Sequence, residues 1–294
     1  MRPLLPARDR QDRIPGRLLI SGLLFIPGLL LVSAPARGQD SGSLVTDRPD
    51  QTESAETVPA SSLQLELGWT YALEGEDGIE LRTHAVPGML LRIGLGAGIE
   101  ARIGFAGWIS QDEEVTDPLL GPGFDQSGVG AGDAELGVKW EIAELEGAGT
   151  RIALLGGVSL PIGAEGLGSE RADPTFRLAI SNELSDRVSL GYNVGVLWET
   201  VDAMAAPAAA LETQAYLLYT VAFGFGITER VGAFVEGFGF LGMVADRPDR
   251  HSVDGGVTLL LSDTIQLDAS AGLGLTSAAE DWFVGAGVSA RFPR

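Results

Sequence analysis

The chain has no cysteine, two histidines, and half as many basic as acidic residues, 20 Lys+Arg against 40 Asp+Glu. Without cysteine it can form no disulfide, no thiolate metal site and no cysteine nucleophile. His84 falls in an extended pattern near Pro87, and His251 at a loop boundary. Neither stands in a nucleophile motif, which argues against a Ser-His-acid hydrolase and against a structural metal. No enzyme activity, cofactor or metal is expected. A net charge of −20 speaks against a nucleic-acid partner, because phosphate binding needs clustered Lys and Arg. Helical periodicity is scarce, and beyond residue 40 no apolar run is long enough for a membrane helix. Charged residues are few as well, 20% against 45% hydrophobic, so disorder is not the main state. Glycine, in contrast, is abundant at 41 residues. An acidic chain that is also apolar and glycine-rich is unusual for a soluble domain.

The N-terminus reads as an address. Arg2, Arg8, Arg10, Arg13 and Arg17 precede an uncharged run from Leu18 to Ala34, closed by Ala34-Pro35-Ala36. This is the order of a secretory signal peptide. A retained membrane helix is the rival, but Gly22, Pro27 and Gly28 interrupt the run. The expected organisation is a signal peptide over 1–36, a periplasmic segment over 37–61 and a barrel over 62–294.

Period-two alternation dominates the remainder. Leu63, Leu65, Leu67, Trp69, Tyr71 and Leu73 alternate with Gln64, Glu66, Gly68, Thr70, Ala72 and Glu74. Similar sets run through 134–142, 188–198 and 265–276. At ten to twelve residues they exceed the roughly five or six of a soluble half-buried strand. About twelve strands are expected, near 62–73, 80–95, 97–110, 131–143, 151–163, 174–184, 187–198, 212–225, 230–243, 252–261, 264–275 and 282–292. The connections 74–79, 111–130, 164–173, 199–211, 244–251 and 276–281 are mostly long, and short turns alternate with them. Long outer loops, short periplasmic turns and an even strand number describe an outer-membrane barrel. The fold expected is therefore all-β, a transmembrane antiparallel up-and-down barrel of about 12 strands.

Aromatic girdles give a second test. Trp69, Trp108, Trp198 and Trp282 fall toward outer strand ends, and Trp140 and Phe292 toward periplasmic ends. All the tryptophans but Trp108 are in the outward phase. A soluble sandwich is the alternative, but it needs shorter strands and polar outer surfaces. Strand 230–243 has apolar residues in both phases, and Pro87 predicts a bulge in the second strand.

The inward phase holds Glu66, Arg92, Glu100, Arg102, Asp133, Glu135, Lys139, Glu141, Arg177, Arg187, Glu236, Asp254, Asp268 and Arg291. Acids and bases are nearly balanced there, which leaves the negative excess to outer loops such as Asp112-Glu113-Glu114 with Asp117. These loop carboxylates could ligate calcium, although solvated loops that meet the outer leaflet through ions account for them better. Two readings of the interior stay open: opposing charges orienting solutes in a pore, or charges pairing across a narrow lumen. The segment 46–59, with Asp47, Arg48 and Asp50, is either a plug folded back into the lumen or a periplasmic linker.

Thr46-Asp47-Arg48-Pro49-Asp50, Glu53-Ser54, Val58-Pro59 and Leu63-Gln64-Leu65-Glu66-Leu67-Gly68 form an opening motif. Gly130-Ala131-Gly132-Asp133, Leu136-Gly137-Val138-Lys139 and Gly157-Val158-Ser159-Leu160-Pro161-Ile162-Gly163 follow. Together they resemble the outer-membrane family named after the meta-cleavage pathway of phenol degradation, over roughly Val45 to Arg294. That resemblance implies a barrel passing or sensing small compounds, aromatics among them, with no defined substrate. Gly287-x-x-Ala290-x-Phe292 resembles the C-terminal signal read by the barrel-assembly machinery, here trailed by Pro293 and Arg294. The function expected is a channel or uptake porin in outer-membrane lipid. The alternative is a non-conducting barrel acting through its acidic loops. Solute-contact candidates are Glu66, Arg92, Glu100, Arg102, Asp133, Glu135, Lys139, Arg177, Arg187 and Asp268.

Overall fold

The computed structural model describes residues 44–76, 78–115, 126–202, 211–244 and 247–293; the leader expected over 1–36 lies outside them. Its strand segments are β1 (Leu63–Glu76), β2 (Ile79–Gly96), β3 (Ile99–Phe105), β4 (Trp108–Val115), β5 (Gln126–Ala131), β6 (Ala134–Leu145), β7 (Thr150–Leu160), β8 (Asp173–Ser185), β9 (Val188–Asp202), β10 (Leu211–Gly226), β11 (Val231–Gly242), β12 (Arg250–Ser262), β13 (Ile265–Gly274) and β14 (Trp282–Phe292). All pairings are antiparallel, and β1 pairs with both β2 and β14, Leu63 standing opposite Phe292. The sheet therefore has no free edge. In lipid every backbone donor and acceptor must find a partner within the protein, and closure meets that demand.

Twelve strands form the wall. β3 and β4 are halves of one, because the second half of β2 pairs with β3 and its first half with β4. β5 and β6 are halves of the next, pairing with β4 and β3 respectively. One rim carries the short connections, among them Ala97-Gly98, Asp186-Arg187 and Asp263-Thr264, together with both ends of the barrel. At the β2–β3 turn Gly96, Ala97 and Gly98 have φ of 88°, 53° and 71°, a backbone requirement that accounts for the glycines there.

The opposite rim carries the long connections, with corrections to two of them. The expected loop 74–79 is mostly strand, and β1 and β2 join through the two residues 77–78. Likewise the expected loop 111–130 contains the end of β4 and all of β5. β9 continues through Asp202, while the alanine-rich stretch 203–210 lies outside the described residues.

Side chains face as in a membrane barrel, apolar outward and polar inward. On β6 Leu136, Val138 and Trp140 are exposed while Lys139 is buried; on β13 Leu267 is exposed between buried Gln266 and Asp268. On β11, the strand with ambiguous alternation, Glu236 and Phe238 are buried and Val235 is exposed.

Trp108 is the exception that the structure resolves. It is 58% exposed and faces outward. The reason is a dislocation crossing three neighbouring wall strands at one level. On β2 the inward phase passes from Thr83 and Ala85 to Leu90 and Arg92, around Pro87. Between β3 and β4 it shifts at Ala106-Gly107, and between β5 and β6 at Gly132-Asp133. An extra residue in a strand flips every side chain beyond it. The broken ends are tied laterally by Gly132 N–H to Gly107 O (2.8 Å) and Ala106 N–H to Asp133 O (3.1 Å). Gly107, at φ 87°, is required here, since a Cβ would stand 2.7 Å from Pro87 O.

Candidate functional site: the occupied lumen

Leu44 to Ser62 lies inside the barrel. The segment lacks alternation and carries Pro49 and Pro59, so it cannot contribute a full wall strand. Its backbone groups must be satisfied individually, and the wall side chains do so. The N–H of Asp47 donates to Glu66 (3.1 Å), that of Gln51 to Glu236 (2.7 Å), and that of Glu53 to Asn193 (2.8 Å). Ala55 N–H donates to Ser181 (3.0 Å) and Val58 N–H to Glu100 (2.8 Å). In return Gln64 donates to Val45 O (2.8 Å), Arg92 to Glu56 O (3.0 Å) and Asn193 to Glu53 O (3.0 Å). At the short-turn rim the segment reverses into β1, with Ser61 N–H bonded to Gly94 O and Gly94 N–H to Ser62 O, each 3.0 Å.

One side of this segment meets cations. The Asp47 carboxylate lies 2.6 Å from Arg102, 2.8 Å from Lys139 and 3.2 Å from Arg92. Arg92 also reaches Glu100 (2.8 Å) and Glu66 (3.1 Å), and Arg102 reaches Glu53 (2.8 Å) and Glu100 (3.1 Å). Burial alone would raise the pKa of Asp47, but the charges of Arg92, Lys139 and Arg102 hold it well below the usual carboxylate range. Such an ion network survives out of water only because every charge has partners on several sides.

Arg48 points to another part of the wall and donates to Asp268 (3.2 Å). Its guanidinium occupies the space that side chains on Gly68 and Gly287 would fill, two glycines directly opposite each other across β1 and β14. Their lack of a side chain makes the groove in which Arg48 lies.

The other side meets acids. Glu236 and Asp254 are direct cross-strand partners on β11 and β12, a like-charge placement that normally destabilises. Glu236 accepts from Thr52 Oγ1 (2.5 Å) and Gln51 N–H (2.7 Å). No N–H or hydroxyl donor reaches either carboxyl oxygen of Asp254 among the described residues, although the residue is 5% exposed; its hydrogen-bonding neighbour is the Glu236 carboxyl. Asp50 joins them: burial, then the Glu236 and Asp254 charges, push its carboxyl well above the usual range.

Toward the long-loop rim a cavity of about 210 Å³ remains, lined by Asp50, Glu53, Arg102, Glu135, Leu155 and Arg177 among others. Glu135 packs against Gly157. Arg177 makes one contact with the segment, Nη1 to Gln51 O at 3.3 Å. Asp133 has a different task from the one expected of a lumen charge. Its carboxylate accepts from Gly163 N–H (2.9 Å) and Ser169 N–H (2.5 Å), and so ties the loop 161–172 to the dislocation.

Arg187 is a correction, because it lies exposed in the turn between β8 and β9 and joins no interior cluster. Sequence reasoning missed Asn193, Ser181 and Thr52, which had no charge to single them out. It also missed Asp173, which sits inside the barrel end and accepts from Thr200 N–H (2.9 Å) and Oγ1 (2.7 Å). His84 packs on Tyr71, and His251 bonds the Tyr219 hydroxyl at 2.9 Å; neither lines the cavity. No group of three or more His, Cys, Asp or Glu among the described residues is arranged to hold a metal.

Comparison with known proteins gives two positive findings. A family model described as "Putative MetA-pathway of phenol degradation" matches residues 46–292. Among solved structures, the COG4313 outer membrane channel from Pseudomonas putida F1 is similar, with TM-score 0.63, 13% identity, and 81% of this chain and 98% of that chain covered. At that identity the likeness concerns the fold. The NanC porin (TM-score 0.49, 8% identity, 78% and 98% covered) and the CymD monoaromatic hydrocarbon channel (0.43, 9%, 80% and 90%) are more distant. A search of curated proteins finds no match.

Proposed function

The chain belongs to the phenol MetA-pathway family, and from that premise we propose that it is an outer-membrane uptake channel for small molecules, closed at rest by its own segment Leu44–Ser62. The observation that carries this reading is the content of the lumen. A barrel with only a structural role can fill its interior with interdigitated wall side chains. Here the wall presents buried charges and amides to a separate peptide, which is held by hydrogen bonds and ion pairs rather than by a covalent wall connection at each point. What such bonds hold, a change in their balance can release.

Selectivity would reside first in the cavity above the plug. Its volume of about 210 Å³ is below the roughly 300–1,000 Å³ typical of drug-sized ligands, so the solute class is small. Apolar side chains such as Leu155 and Leu197 share that lining with carboxylates and Arg177, which suits a compact solute with one apolar face and a polar substituent. The family's association with phenol degradation makes small aromatic compounds the first class to screen. Glu66, Arg92, Glu100, Lys139 and Asp268 would meet solute after the plug has left them. Arg102, Glu135 and Arg177 line the cavity before that.

The test is planar-bilayer conductance of the refolded mature protein, with and without residues 37–60, in samples shown by heat-modifiable gel mobility to be folded. Current in either form supports the channel. Current that grows on truncation assigns the segment as its plug. Silence from both folded forms overturns the reading and leaves a non-conducting surface barrel.

A further inference from the structure

The acidic side of the plug gathers more carboxyls than a static closure needs. Three carboxyl groups, Asp50 of the plug and the cross-strand pair Glu236 and Asp254, are gathered where the plug meets β11 and β12. Across the plug, Asp47 is neutralised by three cations; no salt bridge to Asp50, Glu236 or Asp254 is formed among the described residues. No N–H or hydroxyl donor reaches the two oxygens of buried Asp254 among the described residues, an arrangement that water exclusion makes costly for a charged carboxylate. Glu236, in contrast, accepts from Thr52 and Gln51.

We propose that Asp50, Glu236 and Asp254 form a proton-operated latch that holds the plug on the β11–β12 wall while protons are shared among the three carboxyls and releases that side of the plug when the protons leave. This rests on the channel reading above, and adds its regulation.

With two protons shared among the three carboxyls, the cluster carries one negative charge, facing the plug donors Thr52 and Gln51 N–H. Removing them leaves three negative charges in one buried patch. The groups facing that patch cannot compensate. On β10 the partner of Glu236 is Ala222 with Thr220 nearby, and on β13 the partner of Asp254 is Gly272. The plug adds the charge of Asp47, which also raises Asp50. Across the lumen Arg177 of β8 is the cation that acts on Glu236, and Arg48 is committed to Asp268 on β13. The sign follows from linkage. Asp50 is raised when docked, so the docked plug binds more protons than the undocked one. Its hold on this wall is complete below the ordinary carboxylate range and is lost as pH rises through the elevated value.

The absence of native cysteine allows a direct measurement. Gln51 is exposed toward the cavity and uses only backbone groups in its contacts, so Gln51→Cys can carry a nitroxide without removing a latch side chain. Its mobility is recorded by electron paramagnetic resonance between pH 5 and 9, in the full mature chain and in the same chain with Glu236→Gln and Asp254→Asn. The expected result is an immobile label at pH 5 that becomes mobile at high pH, and a label that stays immobile throughout in the double variant. A label with the same mobility at both ends of the range overturns the latch, as does a response that survives the double variant. A response that follows sodium or calcium at fixed pH overturns it in favour of a bound cation. Bilayer current taken on the same samples separates the two readings. A pH-responsive label with no current at any pH keeps the latch and removes the channel, whereas current with an unresponsive label does the reverse.

Discussion

The same plug is held by two walls of opposite character. On β2, β3 and β6 one carboxylate, Asp47, is shared by Arg92, Arg102 and Lys139. On β11 and β12 a plug carboxyl, Asp50, faces two more carboxyls. The first wall is stable because opposite charges surround a desolvated group; the second because some of its groups give up their charge. Their responses to pH are therefore opposed. Asp47 is depressed when docked, so its contribution is present above the ordinary carboxylate range and is lost as pH falls through its lowered value. Asp50 is raised, and its contribution fades as pH rises. The plug is held on both sides only in the window between. The lesson is that one short peptide can be anchored firmly and remain adjustable, provided the two functions fall on different walls.

Breaking the first wall has the largest expected effect. Asp47→Ala leaves three buried cations without their common partner, a loss of about 3–5 kcal/mol by comparison with other broken buried pairs. Conductance of this variant should approach that of the protein lacking residues 37–60. Next comes Gly68→Val, which places a branched side chain where the Arg48 guanidinium lies. Overpacking of this kind costs about 1–3 kcal/mol, and it should appear as faster proteolysis within 44–62 at unchanged barrel mobility on gels. The second wall should answer with the reverse sign. Asp254→Asn removes a cross-strand like charge worth roughly 0.2–1 kcal/mol, so at pH 8 the plug is held more firmly and the open fraction in a bilayer falls. Arg187→Ala sharpens the comparison as its zero point: exposed in a turn, it belongs to neither wall, and docking should change by less than about 0.5 kcal/mol.

How far the sequence reveals this depends on the kind of information required. Strand number and direction are local properties, carried by alternation in stretches such as Leu63–Leu73, and they were legible. Facing is local too, until an extra residue intervenes; Trp108 was misread because Gly107 shifts the phase just before it. Arg187 failed for a related reason, since it precedes the first residue of β9 and phase counted back into a turn has no meaning. Asp47, Arg48 and Asp50 stood out because they are polar and motif-like immediately before a strand. What they touch was beyond reach. Arg48 and Asp268 are 220 residues apart, and only closure of the barrel brings the plug and β13 together. The uncharged partners Asn193, Ser181 and Thr52 leave no mark in a survey of charges, although they satisfy the plug backbone as effectively as the acids do.

Placement of the plug immediately before β1 carries a consequence for biogenesis. The first strand and the last are joined to each other, Leu63 against Phe292, and the plug bonds to wall strands at both ends of the chain, from Glu66 on β1 to Asp268 on β13. The plug therefore has its full set of wall partners only when β1 and β14 have met. Docking of Arg48 on Asp268 must wait for the late strands to arrive, making it a contact of very high sequence separation and a slow one to form. The plug is thus a reporter of closure: its complete contact set requires the seam between β1 and β14 to be joined.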